Sequence, residues 1–334
     1  MSLARPRSSS LAFSLFLALL APAWGGCGSA SEGGPGPVKG APTDDAGPSD
    51  SSTPTEQPAA EPTADPVPAD LPALLARTAD ADVAPDLSCA GQPLPVATGT
   101  PVTRQYHLVA LGGEDSDRVA GLPVELFYGN DPSKPADATG TSSKGDGDKS
   151  KMGLFDAPTP SGFLAFHVAK AEGSYETTAL DFDTRVDGPL LATVATNDKV
   201  DALSVLIGGS TWKPAPGLGR VVVRAVDCAG RPLAGAHIAL QVDGVVAAIA
   251  AKDAAGVRRS YFSDIELPST AKWSSRSGIA AFMDVPHGKS LKLVVRGRVD
   301  ATGAAAVVAI REVPFLADGI LTAKITPFST TAGR

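Results

Sequence analysis

Beyond residue 86 the apolar positions fall into short runs closed by turn residues. Val221-Val222-Val223-Arg224-Ala225-Val226 is β-branched and stops at an Asp-Cys-Ala-Gly turn, and Ser290 to Val295 has the same character. Short β-branched runs bounded by Gly, Pro and Asp predict strands. The pattern also recurs along the chain. Ala120-Gly121-Leu122-Pro123-Val124-Glu125-Leu126 matches Ala234-Gly235-Ala236-His237-Ile238-Ala239-Leu240 at an offset of 114. Ser161 to Phe166 matches Ser277 to Phe282 at 116, and Asp201 to Val205 matches Asp318 to Thr322 at 117. Three segments in one order at nearly one spacing indicate a duplicated unit of about 115 residues. Aligning the two cysteine segments instead needs an offset of 139 and brings nothing downstream into register.

Each copy reads alike. A strand (Arg104 to Leu111, or Arg220 to Val226) enters a polar turn, and an Ala-Gly step leads to a second strand (Leu122 to Tyr128, or His237 to Val242). A long insertion follows, and Ser-Gly opens a third strand. The Ala-Gly step supplies a backbone position free of side-chain clash at a bulge or tight turn. Many short strands with Gly/Pro turns predict an all-β protein: two tandem antiparallel β-sandwich domains, 87–209 and 220–334. A hinge at 210–219, rich in Gly and Pro, separates them.

Composition narrows the class. The 334 residues include 35 Gly and 29 Pro, too many for a coiled coil or helical bundle. The net charge of −7 is unevenly placed. Residues 28–86 hold eleven acidic and two basic side chains, eleven prolines and no aromatic ring, whereas residues 87–334 are neutral. A neutral folded part carries no clustered basic face for nucleic acid. The acidic stretch has too little apolar surface to offset its ordering entropy, so residues 27–86 are expected as a disordered, self-repelling tether. Within it only Leu71 to Ala79, with Pro72 near its start, reads as a helical turn or two.

The first 26 residues read as an address. Arg5 and Arg7 precede an apolar run from Leu11 to Leu20, and small residues follow. That is the layout of a secretory signal peptide, and the run is shorter than the roughly 20 residues of a membrane span. Gly25-Gly26-Cys27 resembles the lipobox of bacterial lipoproteins, although Trp24 stands where that pattern prefers an aliphatic residue. The resemblance implies diacylglycerol on Cys27, cleavage before it and anchoring to a membrane. The alternative is an ordinary signal peptide cut after Ala23. Gly28 after Cys27, rather than Asp, favours the outer membrane under the sorting rule of that class.

Three cysteines make an odd count for an exported chain. Lipidation of Cys27 leaves Cys89 and Cys228, each followed by Ala-Gly, in an oxidising compartment. The expectation is a Cys89–Cys228 disulfide; the alternative is two buried thiols acting as small hydrophobes.

The second copy, Arg231-Pro232-Leu233-Ala234-Gly235-Ala236-His237-Ile238-Ala239-Leu240 with Ser277-Gly278-Ile279-Ala280-Ala281-Phe282 and Val285-Pro286-His287-Gly288, resembles the carboxypeptidase-regulatory-like family. That resemblance implies a transthyretin-like β-sandwich and an accessory module without catalytic residues. The first copy keeps only Gly121 to Leu126 and Gly162 to Phe166 of the pattern.

The chain carries few motifs of known chemistry. His107, His167, His237 and His287 form no His-Glu-x-x-His or His-x-His; His107 and His237 fall in strands and His287 in a turn. There is no Gly-x-Ser-x-Gly elbow and no phosphate-binding Gly-x-x-x-x-Gly-Lys-Ser/Thr. Tyr106, Tyr128, Tyr175 and Tyr261 form no ligand pattern with histidine of the kind ring-cleaving dioxygenases use for iron. Asp146 and Asp148 resemble the start of a calcium loop, but Lys151 and Ala157 replace the Gly and Glu that pattern requires. No metal and no cofactor are expected. In the second copy's insertion Arg258, Arg259, Tyr261, Phe262 and Trp273 place bases beside rings, a candidate surface for a sugar or protein. The alternative is a loop folded over the sandwich with its rings in the core. The expected function is non-enzymatic: a lipid-anchored cell-envelope protein with a binding or structural role. The alternatives are a carbohydrate- or peptidoglycan-binding module using the insertions, and an enzyme with an unrecognised site. The expected partners are the membrane, through the anchor, and an envelope glycan or protein, not nucleic acid.

Overall fold

The computed structural model describes residues 65–93, 98–111, 117–128, 134–161, 164–170, 172–183, 190–208, 215–250, 255–288, 290–313 and 315–327. The apolar run, Cys27 and residues 28–64 of the expected tether lie outside them. The fold is all-β, as the pattern predicts.

The segment entering the fold carries β1 (Leu75–Arg77) and β2 (Asp82–Val83). The first half then supplies β3 (Thr98–Ala110), β4 (Pro123–Phe127), β5 (Ala138–Thr141), β6 (Leu154–Ser161), β7 (Leu164–Ala169), β8 (Tyr175–Glu176), β9 (Thr178–Asp183) and β10 (Leu190–Thr196). One helix, α1 (Asn197–Gly208), follows. The second half supplies β11 (Gly219–Ala225), β12 (Leu233–Ala234), β13 (His237–Val242), β14 (Val245–Val246), β15 (Arg258–Phe262) and β16 (Pro268–Ser269). It ends with β17 (Ile279–Val285), β18 (Leu291–Gly297), β19 (Ala306–Val313) and β20 (Ile320–Ile325).

The halves are not separate sandwiches. A nine-stranded sheet runs β16-β15-β17-β11-β20-β9-β7-β4-β5, so both halves share it. The join is the parallel pair β9/β20, with Leu321 opposite Ala179. All the described residues fall in one compact unit. Two tandem sandwiches would each leave a row of unpaired backbone groups at this edge, and pairing them satisfies both rows. Nor is the pairing wholly antiparallel: β3/β10 and β11/β20 are parallel as well.

Two four-stranded sheets, β6-β3-β10-β8 and β14-β13-β18-β19, complete the layers. Successive strand residues face opposite ways. Leu126 and Ala169 pack with Tyr106, Leu108 and Ala192 of the β3 sheet, whereas their neighbours Phe127 and Val168 join the core of Ile238, Leu240 and Leu293. The two outer sheets therefore cover opposite faces of the shared one.

Helix α1 covers the first of those faces beside the β3 sheet. Val200, Leu203 and Ile207, at helical spacing, pack with Val222, Phe262, Ala281 and Met283. Asp201 to Val205 thus lies in a helix, while its expected counterpart, Asp318 to Thr322, leads into β20. That third segment of the repeat is a similarity of letters without a shared conformation. Among the described residues no helix is long and apolar enough to cross a membrane.

The end of the expected tether is also ordered. Residues 65–86 lie on the second half, and Leu71 to Ala79 holds the short strand β1 and no helix. The alternation Leu74 in, Leu75 out, Ala76 in, Arg77 out is a strand pattern, and Leu71, Leu74 and Ala76 are buried. Few apolar residues suffice because the groove they enter is already built.

Candidate functional site

The most developed polar site is the clasp that holds this entering segment. Its backbone hydrogen bonds begin at Leu71, whose N–H donates to Pro68 O within the segment. Leu74 N–H then donates to Arg298 O at 2.7 Å and Arg77 N–H to Pro232 O at 3.0 Å. Strand β1 pairs β12 and β2 in a small three-stranded sheet separate from the larger ones, with Leu75 opposite Ala234 and Ala76 opposite both Leu233 and Val83. Two glycines make room. A Cβ on Gly235, at φ +76°, would stand 2.8 Å from Ala73 O, and a Cβ on Gly297 would stand 2.5 Å from Leu74 side-chain carbons. Burying Leu71 and Leu74 contributes about 1.5–3 kcal/mol each.

At its upstream end the clasp is ionic. The Asp65 side chain is 4% exposed and meets the Arg259 guanidinium directly, and its Oδ1 lies 3.4 Å from Nε2 of the fully buried His237. Arg259 also donates to Ile238 O at 2.8 Å and lies over the Tyr261 ring, 5.1 Å from its centroid. Burial works against ionisation of Asp65, but the contact with His237 and the charge of Arg259 outweigh it and hold the carboxyl below its usual range. The Tyr261 hydroxyl accepts from Ile238 N–H at 2.9 Å, and burial pushes its phenol up to about 12. Two exposed pairs, Arg276–Asp82 at 2.6 Å and Lys272–Asp70 at 3.8 Å, add little in water.

At its downstream end the clasp is covalent. Cys89 and Cys228 sulfurs lie at bonding distance, 2.00 Å, with Cα atoms 5.7 Å apart, as the cysteine count predicts. Asp227, fully buried, organises the turn: its carboxylate accepts from the N–H groups of Asp86, Ala229 and Arg231 and pairs with the Arg231 guanidinium at 2.6 Å. Cys228 N–H donates to Asp86 O at 2.9 Å.

The candidate contact residues of the insertion do not form one surface. Arg258, Arg259, Tyr261 and Phe262 lie in β15 rather than a loop, and its alternation divides them between two faces. Arg259 and Tyr261 face the clasp, whereas Phe262 packs against α1. Arg258 sits near the last helical carbonyl, donating to Gly208 O at 3.4 Å, where a cation suits the helix end. Tyr261 and Phe262 are buried, so the rings serve the core; Trp273 is half-buried.

The remaining candidates are structural too. Asp148 caps the 3-10 turn at Lys149–Lys151, accepting from Ser150 N–H at 2.9 Å, and Asp146 is exposed. His167 is buried and accepts from Thr193 N–H at 2.9 Å. His287 is exposed with its ring edge-on to Phe315. The sequence gives no hint that Tyr106 and Tyr128 meet: their hydroxyls lie 2.7 and 3.4 Å from Thr159 Oγ1, and burial raises both phenols above their usual range. Among the described residues no group of three or more His, Cys, Asp or Glu side chains converges as metal ligands do.

Sequence reasoning missed Asp65 and His237 as a pair. Asp65 looks like one more tether charge, and only its partner 172 residues away gives it a role. No protein-family model matches the chain, and no curated protein matches it.

Proposed function

We propose that this protein is exported and lipid-anchored in the cell envelope: a non-enzymatic β-structured body on a tether, with a binding or structural role. The observation that carries the reading is the distribution of its three cysteines. Cys89 and Cys228 stand at disulfide distance, a bond that persists in oxidising compartments, and Cys27 is left over, behind the apolar run Leu11 to Leu20 and directly after Gly25-Gly26. A thioether-linked diacylglycerol plus an amide-linked acyl chain makes anchoring stable rather than transient. Gly28 after Cys27 supports the outer membrane as the destination.

Membrane fractionation of Cys27→Ser tests the reading. The expected result is loss from the carbonate-washed membrane fraction and accumulation of a longer precursor. A variant that is processed normally and stays with the membrane overturns it.

A further inference from the structure

We propose that residues 65–88 are a releasable extension of the tether, which undocks under load while the Cys89–Cys228 bond keeps the rest of the fold closed. The proposal rests on the anchored reading above for its purpose, not for its geometry.

Three observations place the device. First, the entering segment is an addition to the second half. Its hydrogen bonds and ion pairs run to residues 227–298, and its strands form their own small sheet, with two paired positions at β1/β12 and two at β1/β2. Peeling it breaks no rung of the nine-stranded sheet. Second, its fastenings lie in series along the chain: Asp65 on Arg259, Leu71 and Leu74 in the groove, then β1 on β12. A pull arriving from the upstream side loads Asp65 first and the others in turn, so they yield one after another. Third, the covalent stop stands at the far end. Beyond Ser88 a pull passes through Cys89 directly into Cys228 and bypasses β3 to β10 altogether. A disulfide placed upstream of Asp65 would have prevented release, whereas one placed here limits it.

Release frees about 24 residues, whose fully extended length is roughly 80 Å. That is a large increment on the 37 residues between Cys27 and Asp65. The body would thereby follow a partner through a range of distances from the membrane without unfolding.

The test is single-molecule pulling of the oxidised, non-acylated chain from Cys27 to its end, held at the Cys27 thiol and at Arg334. The expected record has a first, low-force step of at most about 80 Å of contour, followed by rupture of the body at higher force. Asp65→Asn lowers the force of the first step and leaves the second unchanged. A second crosslink between the facing positions of β1 and β12, Leu75→Cys with Ala234→Cys, abolishes most of the first step. Rupture of segment and body in one event overturns the proposal, as does a first step of unchanged length in the crosslinked chain. Because the chain pulled carries no lipid, neither result depends on whether Cys27 is acylated; fractionation decides that separately.

Discussion

Ala120-Gly121 and Ala234-Gly235 are the same local device put to different ends. Both glycines adopt positive φ, +82° and +76°, and both lead into a strand, β4 and β13. Over Gly121 lies the flexible end of Lys144, with Cε 3.2 Å from where a Cβ would stand; over Gly235 lies the backbone of the entering segment. The strands then part company. β4 pairs β7 within the shared sheet, whereas β13 pairs β18 in an outer sheet and β17 stays in the shared one. Equal sequence sets equal local backbone; what packs on it sets the architecture.

The largest way to test that asymmetry is to remove the staple that ties the entering segment to the second half. Replacing Cys89 and Cys228 by Ser should destabilise the body by up to about 4–5 kcal/mol in urea melts, because the bond closes a long loop. Thiol labelling of the denatured, non-reduced, non-lipidated chain should find neither cysteine reactive.

Next comes what covers each glycine. Leu74→Ala should cost about 2–5 kcal/mol, since it empties a buried site against Gly297. Lys144→Ala, which strips the cover from Gly121, should stay within about 0.5 kcal/mol as an exposed substitution. Comparable losses from the two would end the claim that the halves differ here.

Breaking the ionic end should cost about 3 kcal/mol for Asp65→Ala, because Arg259 is left without its carboxylate. Adding Arg259→Leu should return part of the loss. The pH dependence has a definite sign. The carboxyl of Asp65 lies below its unfolded value, near 3.9, so its contribution is complete above that value and fades as pH falls through the folded one. The stability gap between the parent and Asp65→Asn should therefore narrow as pH falls below about 4.

The smallest comparison sharpens it most. Gly121→Ala and Gly235→Ala share the strain of positive φ, of order 1–3 kcal/mol. Gly235→Ala should exceed Gly121→Ala by about 1 kcal/mol, since a carbonyl oxygen cannot move aside as a lysine chain can.

Much of this was legible in the chain. The strands at Arg220 to Val226, His237 to Val242 and Ser290 to Val295 stand within a residue or two of β11, β13 and β18, because β-branched runs between turn residues have few other conformations. The cysteine pair followed from arithmetic. The errors share one cause. Leu71 to Ala79 read as a helical turn because Pro72 stands near its start, whereas its strand partner and the glycines that make its groove lie far along the chain. Asp201 to Val205 matched a strand by letters, while its neighbours Val200 and Ile207 carry a helical period. Arg258 to Phe262 read as a surface because bases stand close to rings there, and the alternation of a strand sends neighbouring side chains to opposite faces.

Sequence alone determined that the fold is all-β and where strands such as β11, β13 and β18 run, because those follow from backbone preference, and composition left Cys89 and Cys228 as the pair once Cys27 is set aside. Tertiary structure alone decided that β9 meets β20, that one sheet serves both halves, and that Asp65 is a buried partner of Arg259 rather than a tether charge. The physical reason is that a strand's pattern records which of its faces is buried but not which edge lies beside it. Edges are matched by backbone groups that every residue carries alike, so the choice among them is made by packing of the whole.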